Sequence, residues 1–248
     1  MKKQPIFELF KASRNFGEFP ALVDVTFNVN AGERVAVVGP SGAGKSTLIR
    51  LLNGTLFPSS GEVRVLGQRL DQLTPGALRD VQSRVGTVYQ QFHLVDNLRV
   101  VHNLNAGHLS RWSLSKSLFS LIRPMDVQEA FRALEQVGIP EKLYERTDRL
   151  SGGQQQRVAI ARVLIQNPEA ILADEPISSL DPELSKEVIE ILVDLSNRNG
   201  KTLFCSLHAI EFALSHFERI IGLRRGRILF DAATENVTEA MINSVYQG

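Results

Sequence analysis

Apolar and polar residues recur along this chain with two different periods, and each period predicts an element. Ile6, Phe7, Leu9 and Phe10 form one apolar patch, and Leu22, Val23, Val25, Phe27 and Val29 form a largely alternating one. The first thirty residues therefore read as strands. Ala31-Gly32 turns the chain, and Arg34 leads into the unbroken apolar run Val35 to Val38. Such a run marks a strand buried on both faces of a parallel sheet. It stops at Gly39, and Lys45 to Leu52 reads as a helix. Gly61 to Leu66 and Arg84 to Tyr89 suggest two further strands. From about Phe92 to Arg149 the pattern turns helical, with Val127, Ala130, Phe131, Leu134 and Val137 at helical spacing. Ser151 is set to cap a long helix through Gln166, closed by Asn167-Pro168. Ala170 to Ala173 is another buried strand, Pro182 to Asn199 a helix and Thr202 to Leu207 a strand. The tail from Glu211 holds a helix and a short strand pair around Gly226. Strand and helix alternate except in the middle. An α/β fold follows, a doubly wound sheet with a helical lobe inserted at about 92–166.

Composition narrows the partners. The 248 residues suffice for one large domain with its own core, and 1–248 is read as a single domain. Lys and Arg number 28 against 27 Asp and Glu, a balance that gives no support to a nucleic-acid partner. The single cysteine, Cys205, excludes an internal disulfide and fits a reducing compartment, where it reads as a small buried hydrophobe. No run of about 18 apolar residues occurs, and the two lysines near the start precede no sustained apolar stretch. A soluble, cytoplasmic chain is expected.

Candidate chemistry begins at Gly39-Pro40-Ser41-Gly42-Ala43-Gly44-Lys45-Ser46-Thr47, a match to G-x-x-x-x-G-K-[ST] between a predicted strand and helix. Successive backbone N–H groups and the helix N-terminus suit phosphate oxygens, and glycines at 39, 42 and 44 are expected to clear the approach. Lys45 brings a full charge to the β- and γ-phosphates, and the Ser46 hydroxyl can ligate Mg²⁺. The run is read as a nucleoside triphosphate site. Ile171-Leu172-Ala173-Asp174-Glu175-Pro176 then sets two carboxylates at the end of a buried strand. Alone this would be a charged strand exit. After a P-loop, Asp174 is expected to hold the Mg²⁺ hydration shell and Glu175 to accept a proton from the attacking water.

Leu150-Ser151-Gly152-Gly153-Gln154-Gln155-Gln156-Arg157 supplies a second anion cradle at a helix start. One P-loop has no use for it within its own site. Two chains facing head to tail do, each capping the γ-phosphate on the other's P-loop. The motif resembles the signature of ATP-binding-cassette ATPases, and the other motifs follow in family order over essentially the whole chain. The resemblance implies a P-loop nucleotide-binding domain: a mostly parallel core sheet, an antiparallel β subdomain and an inserted helical subdomain. It implies that Tyr89-Gln90 is the Q-loop, with Gln90 a Mg²⁺ ligand and permease sensor and Gln91 its adjacent competitor. Ser178-Ser179-Leu180-Asp181 matches the D-loop, His208 the γ-phosphate switch histidine, and Phe16, with Phe19 as rival, the aromatic that stacks on adenine. ATP and Mg²⁺ are the implied cofactors. The implied partners are a second copy of the chain, transmembrane permease subunits and, indirectly, a periplasmic solute-binding protein. The implied location is the cytoplasmic face of the inner membrane.

The stretch from Gln90-Gln91-Phe92-His93-Leu94-Val95 to Trp112, with the insertion Ser113 to Pro124, is similar to the ATP-binding subunits of phosphonate importers. His93 and Ile177-Ser178 depart from that pattern, which leaves phosphonate, phosphite and other phosphorus oxoanions open as solutes. An exporter-type or lipoprotein-release motor and a soluble cassette ATPase are the alternatives. Trp112 to Ile122, with Arg111, Lys116 and Arg123 among apolar residues, is expected to pack within the lobe or against a permease rather than on a membrane surface.

Overall fold

Two sheets divide the strands by direction. Pro5–Phe16 (β1), Phe19–Asn30 (β2), Ser60–Val65 (β4) and Gln68–Arg69 (β5) form an antiparallel sheet in the order β2-β1-β4-β5. Arg34–Val38 (β3), Val85–Val88 (β6), Ala170–Asp174 (β7), Thr202–Leu207 (β8), Arg219–Arg224 (β9) and Arg227–Ala233 (β10) form the other, in the order β10-β9-β3-β8-β7-β6. The second sheet is parallel except for the antiparallel pair β9–β10 at one edge. The computed structural model describes residues 5–178 and 180–247. The two amino-terminal lysines and Ser179 of the expected D-loop lie outside the described residues.

The buried strands behave as their unbroken apolar runs require. Successive side chains of a strand point to opposite faces, so β3 feeds two cores. Val35 and Val37 join a cluster with Phe7, Leu48, Ile49 and Leu52 on the side of the antiparallel sheet. Ala36 and Val38 join a second cluster with Leu104, Leu134, Val158 and Ile189. That second cluster is supplied by helices: Val100–Asn105 (α3), Val127–Gln136 (α5), Gly152–Gln166 (α6) and Pro182–Asn199 (α7). α6 is the hub, packing on α3, α5, α7 and β6. Lys45–Leu52 (α1) follows the first buried strand and lies under β7 and β8. Ile210–His216 (α8) and Glu239–Tyr246 (α9) close the tail, with α9 laid on β9 and β10. Among the described residues no helix is long and apolar enough to cross a membrane.

Two helices were not foreseen. Pro75–Ser83 (α2), capped by Thr74, fully buries only Val81, with Leu78 half-buried against the core beside it. α9 likewise buries only Val245. The insertion holds Leu114–Ile122 (α4), and of the two placements expected for it, within the lobe or against a permease, its apolar side does not take the first. Its buried residue is Ser120, while Leu114, Leu118, Phe119, Leu121 and Ile122 are all exposed.

Candidate nucleotide site

Register brings the chemistry to one edge. Val38 at the end of β3 pairs with Leu207 at the end of β8, and Asp174 at the end of β7 pairs with Ser206. The P-loop, His208 and the Asp174-Glu175 pair therefore leave the sheet side by side, at the carboxyl ends of parallel strands where ligands of this fold class bind.

Lys45 is buried, and its Nζ donates to Gly39 O at 2.8 Å and Pro40 O at 3.2 Å. The same Nζ lies 3.1 Å from Glu175 Oε1, and His208 Nε2 lies 2.8 Å from that oxygen. Lys45 Nζ and His208 Nε2 are 3.4 Å apart, so three charged or titratable groups converge on one point. The glycines around them meet a demand beyond the one expected. A Cβ on Gly39 would stand 2.1 Å from Leu223 O, and one on Gly44 would stand 2.6 Å from Ala21 O. Protein backbone passing there by itself demands glycine at those two positions. Gly42 has open space around its Cβ site and a φ of 78°, so its requirement is conformational.

Ser46 Oγ donates to Asp174 Oδ1 at 3.1 Å, and Ser206 Oγ donates to the same oxygen at 2.9 Å. Burial pushes the Asp174 carboxyl above the ordinary carboxylate range, and the two hydroxyls partly offset it. A partly buried carboxylate beside a hydroxyl is a small set of hard oxygen donors. It suits Mg²⁺, which keeps several waters and takes its remaining ligands from phosphate. Ser206 also accepts from the Glu175 N–H at 2.8 Å, fixing a residue whose φ of 48° is left-handed. Sequence reading passed over Ser206. The signal was one serine in the otherwise apolar run Leu203 to Leu207, and only the register with Asp174 gives it meaning. Tyr246 was missed too: its hydroxyl donates to His208 O at 3.1 Å, so α9 tethers the loop after β8.

Gln90 and Gln91 are exposed just past β6, whose last residue Val88 pairs with Ala173, so both emerge beside Asp174. The Gln90 side chain is hydrogen-bonded to neither Ser46 nor Asp174. The loop behind it is pinned by Arg162 of α6, which donates to His93 O at 2.6 Å and Phe92 O at 3.0 Å. Burial holds the Arg162 guanidinium below its ordinary pKa, while the nearby Tyr89 opposes the shift. Phe16 and Phe19 pair across the tip of the β1–β2 hairpin, and both are exposed. The Arg14 guanidinium sits 4.9 Å from the centre of the Phe16 ring. β2 continues to Ala21, whose carbonyl abuts Gly44, so the hairpin is seated on the P-loop.

The signature turn stands elsewhere. Ser151 caps α6, accepting from Gln154 N–H at 3.3 Å while Gln154 Oε1 accepts from Ser151 N–H at 3.1 Å. This is a reciprocal capping box. Ser151 and Gly152 are exposed, and a Cβ on Gly152 would meet nothing within 4 Å. Gly153 is buried against Leu184, which a Cβ would approach to 3.0 Å. Among the described residues none of these groups bonds to residues 39–47. Asp181 caps α7, its carboxylate accepting from the N–H groups of Glu183 and Leu184 at 3.1 and 3.0 Å. Cys205 is fully buried and its thiol is pushed well up by desolvation, as a small core hydrophobe requires.

Known proteins resemble the chain in sequence and in fold. Residues 22–178 match the family model described as "ABC transporter". The chain is 46% identical over 226 residues to the phosphonates import ATP-binding protein PhnC of Pseudomonas fluorescens, covering 91% of this chain and 85% of that protein. It is 42% identical over 241 residues to PhnC 1 of a Nostoc species, covering 96% and 91%. Among solved structures, the dimeric post-hydrolysis state of the ATP-binding cassette MJ0796 bound to ADP and Pi superposes with a TM-score of 0.79 at 30% identity, covering 93% of this chain and all of that one. The cbiO1 subunit of the Clostridium perfringens transporter complex cbiONQ gives 0.82 at 26% identity, covering 98% and 94%. A match over more than half of the chain, joined to the convergence of P-loop, acidic pair and histidine, assigns the chain to the ABC transporter ATP-binding family.

Proposed function

We propose that this chain is the ATP-hydrolysing subunit of an ABC importer that takes up a phosphonate or a related phosphorus oxoanion through a separate permease. Residues 1–248 act as one nucleotide-binding domain with the helical lobe at about 92–166. The observation that carries the reading is the meeting of Lys45, Glu175 and His208 within 3.4 Å beside the Ser46–Asp174 pair. The solute class rests on the names of the relatives, since no residue described above would touch a solute.

The geometry supports a division of labour. The N–H groups of residues 39–47, all but Pro40, and the Lys45 ammonium hold the β- and γ-phosphates of ATP, and Phe16 stacks on the adenine. Ser46, Asp174 and Gln90 would hold Mg²⁺, which neutralises charge on the phosphate oxygens. Glu175 takes a proton from water as the water oxygen bonds to the γ-phosphorus. The bond from that phosphorus to the β,γ-bridging oxygen breaks, giving ADP and inorganic phosphate. His208 donates to a γ-phosphate oxygen. Ser151, Gly152, Gly153 and Gln154 of a second copy cap the same phosphate, and Asp181 lies at the seam between the copies. The dimer docks on permease subunits at the cytoplasmic face of the inner membrane, where a periplasmic solute-binding protein acts on it through the permease.

Glu175→Gln tests the reading. Single-turnover hydrolysis should fall by about 10²–10⁴, the range general-base help supplies. ATP binding should persist and the protein should elute as a dimer with ATP. Undiminished turnover would remove Glu175 from the role.

A further inference from the structure

α4 inverts the usual amphipathic arrangement of a surface helix, which hides its apolar stripe and shows its polar one. At 100° per residue, Leu121, Leu114, Leu118 and Ile122 sweep one arc, with Phe119 beyond Ser115 at its edge, and all five apolar residues are exposed. Ile122 and Leu114 are 83% and 77% exposed, near the limit for residues in a folded chain. The opposite arc, Lys116, Ser117 and Ser120, faces the protein. Ser120 is buried, and its carbonyl accepts from or faces His102 Nδ1 of α3 at 3.0 Å, fastening the helix by its polar side. Ser113 caps the amino end by accepting from Lys116 N–H at 3.3 Å. The outward apolar face is thus held in place by defined bonds.

Charge along the sequence of this stretch leans positive. The whole chain is balanced, yet no Asp or Glu occurs between Asp96 and Asp126, a stretch that carries Arg99, Arg111, Lys116 and Arg123. Lys116 Nζ sits 4.4 Å from the centre of the Trp112 ring and 3.3 Å from Asp126 Oδ2, and Arg123 is exposed at the helix end. The exposed apolar arc of α4 is flanked by cations and an indole. It suits a fluid apolar phase beneath anionic headgroups.

We infer that α4 is an interfacial helix that seats Leu114, Leu118, Leu121 and Ile122 in the surface of a bilayer containing anionic phospholipid. The subunit would then hold the membrane directly as well as through a permease. The inference stands apart from the proposed ATPase chemistry, because its readout is lipid binding by the purified chain with no permease present.

The test is co-sedimentation of the purified chain with vesicles of phosphatidylcholine carrying about 30% phosphatidylglycerol, followed also by emission of Trp112, the single tryptophan. The wild type should sediment with these vesicles, and Trp112 emission should shift to the blue. The double variant Leu118→Glu/Leu121→Glu should lower the bound fraction about tenfold, and Arg123→Glu or pure phosphatidylcholine should lower it about threefold. Both variants should keep the wild-type ATPase rate in lipid-free buffer, since the substituted residues are exposed and outside the nucleotide site. Failure of the wild type to bind the anionic vesicles would overturn the inference. Equal binding by the double variant would overturn it too, as would a double variant that keeps vesicle binding and loses only its permease.

Discussion

Residues 39–47, Asp174, Glu175 and His208 are knitted together inside one chain, whereas Ser151 to Gln154 bond to none of them. The first region is half-buried, crossed by ion pairs and walled by backbone that forbids a Cβ at Gly39 and Gly44. The second is an exposed helix start whose bonds close on themselves and whose Gly152 faces open space. Both are anion cradles by composition. The difference is what the proposed composite site requires: one region closed upon itself, the other left open toward a second copy.

The sharpest way to break that contrast is complementation. Lys45→Ala and Ser151→Ala should each nearly abolish steady-state ATPase activity when alone. In a two-fold dimer, an equal mixture forms mixed pairs in half the cases, each with one intact composite site, so about a quarter of wild-type activity should return. Absence of recovery with confirmed mixed dimers would mean that the turn does not act across the pair.

A pair of glycine substitutions sharpens it further. Gly39→Ala drives a methyl into Leu223 O and should destabilise the fold by about 2–4 kcal/mol, read by chemical denaturation. Gly152→Ala meets nothing within the chain and improves helix propensity, so stability should hold or rise while hydrolysis drops by about tenfold or more. A Gly152→Ala protein with normal turnover would argue against phosphate contact at that turn.

Smaller effects probe how the complete region is braced. Arg162→Ala removes both bonds to the loop at Phe92 and His93; amide exchange over residues 90–96 should quicken, with turnover falling about threefold to tenfold. Asp174→Asn should raise the thermal midpoint of the nucleotide-free protein at neutral pH, because a buried carboxylate with a raised pKa is strained when ionised. The sign fixes the pH dependence. A carboxyl that holds its proton more tightly when folded contributes stability below its unfolded pKa and loses it as pH rises through the folded value. The gap between Asp174→Asn and wild type should therefore widen from about pH 4 upward and then level off. A gap independent of pH would place the strain elsewhere.

Legibility followed burial and local chemistry. Lys45 to Leu52, Pro182 to Asn199 and Thr202 to Leu207 coincide with their elements because each couples a strong apolar period to a boundary signal such as Asp181-Pro182 or Gly200. α2 and α9 escaped because each fully buries a single residue, where Lys45–Leu52 buries five. The site was readable where one short run holds the chemistry, as in the P-loop. It was unreadable where partners meet only through register or a distant helix, as with Ser206 beneath Asp174 and Tyr246 behind His208. The backbone demand on Gly39 and Gly44 was hidden for the same reason: Leu223 and Ala21 approach them from far along the chain.

Glu175 occupies a backbone conformation that suits glycine, at a cost of about 1–2 kcal/mol for an L-residue. Ser206 grips its amide, so the bend is imposed by the neighbouring strand and not chosen by the residue itself. A glycine at 175 would let this corner fold with less tension and leave no carboxylate at the mouth of the pocket. The corner is thus a place where ease of folding and the role proposed for Glu175 pull in opposite directions.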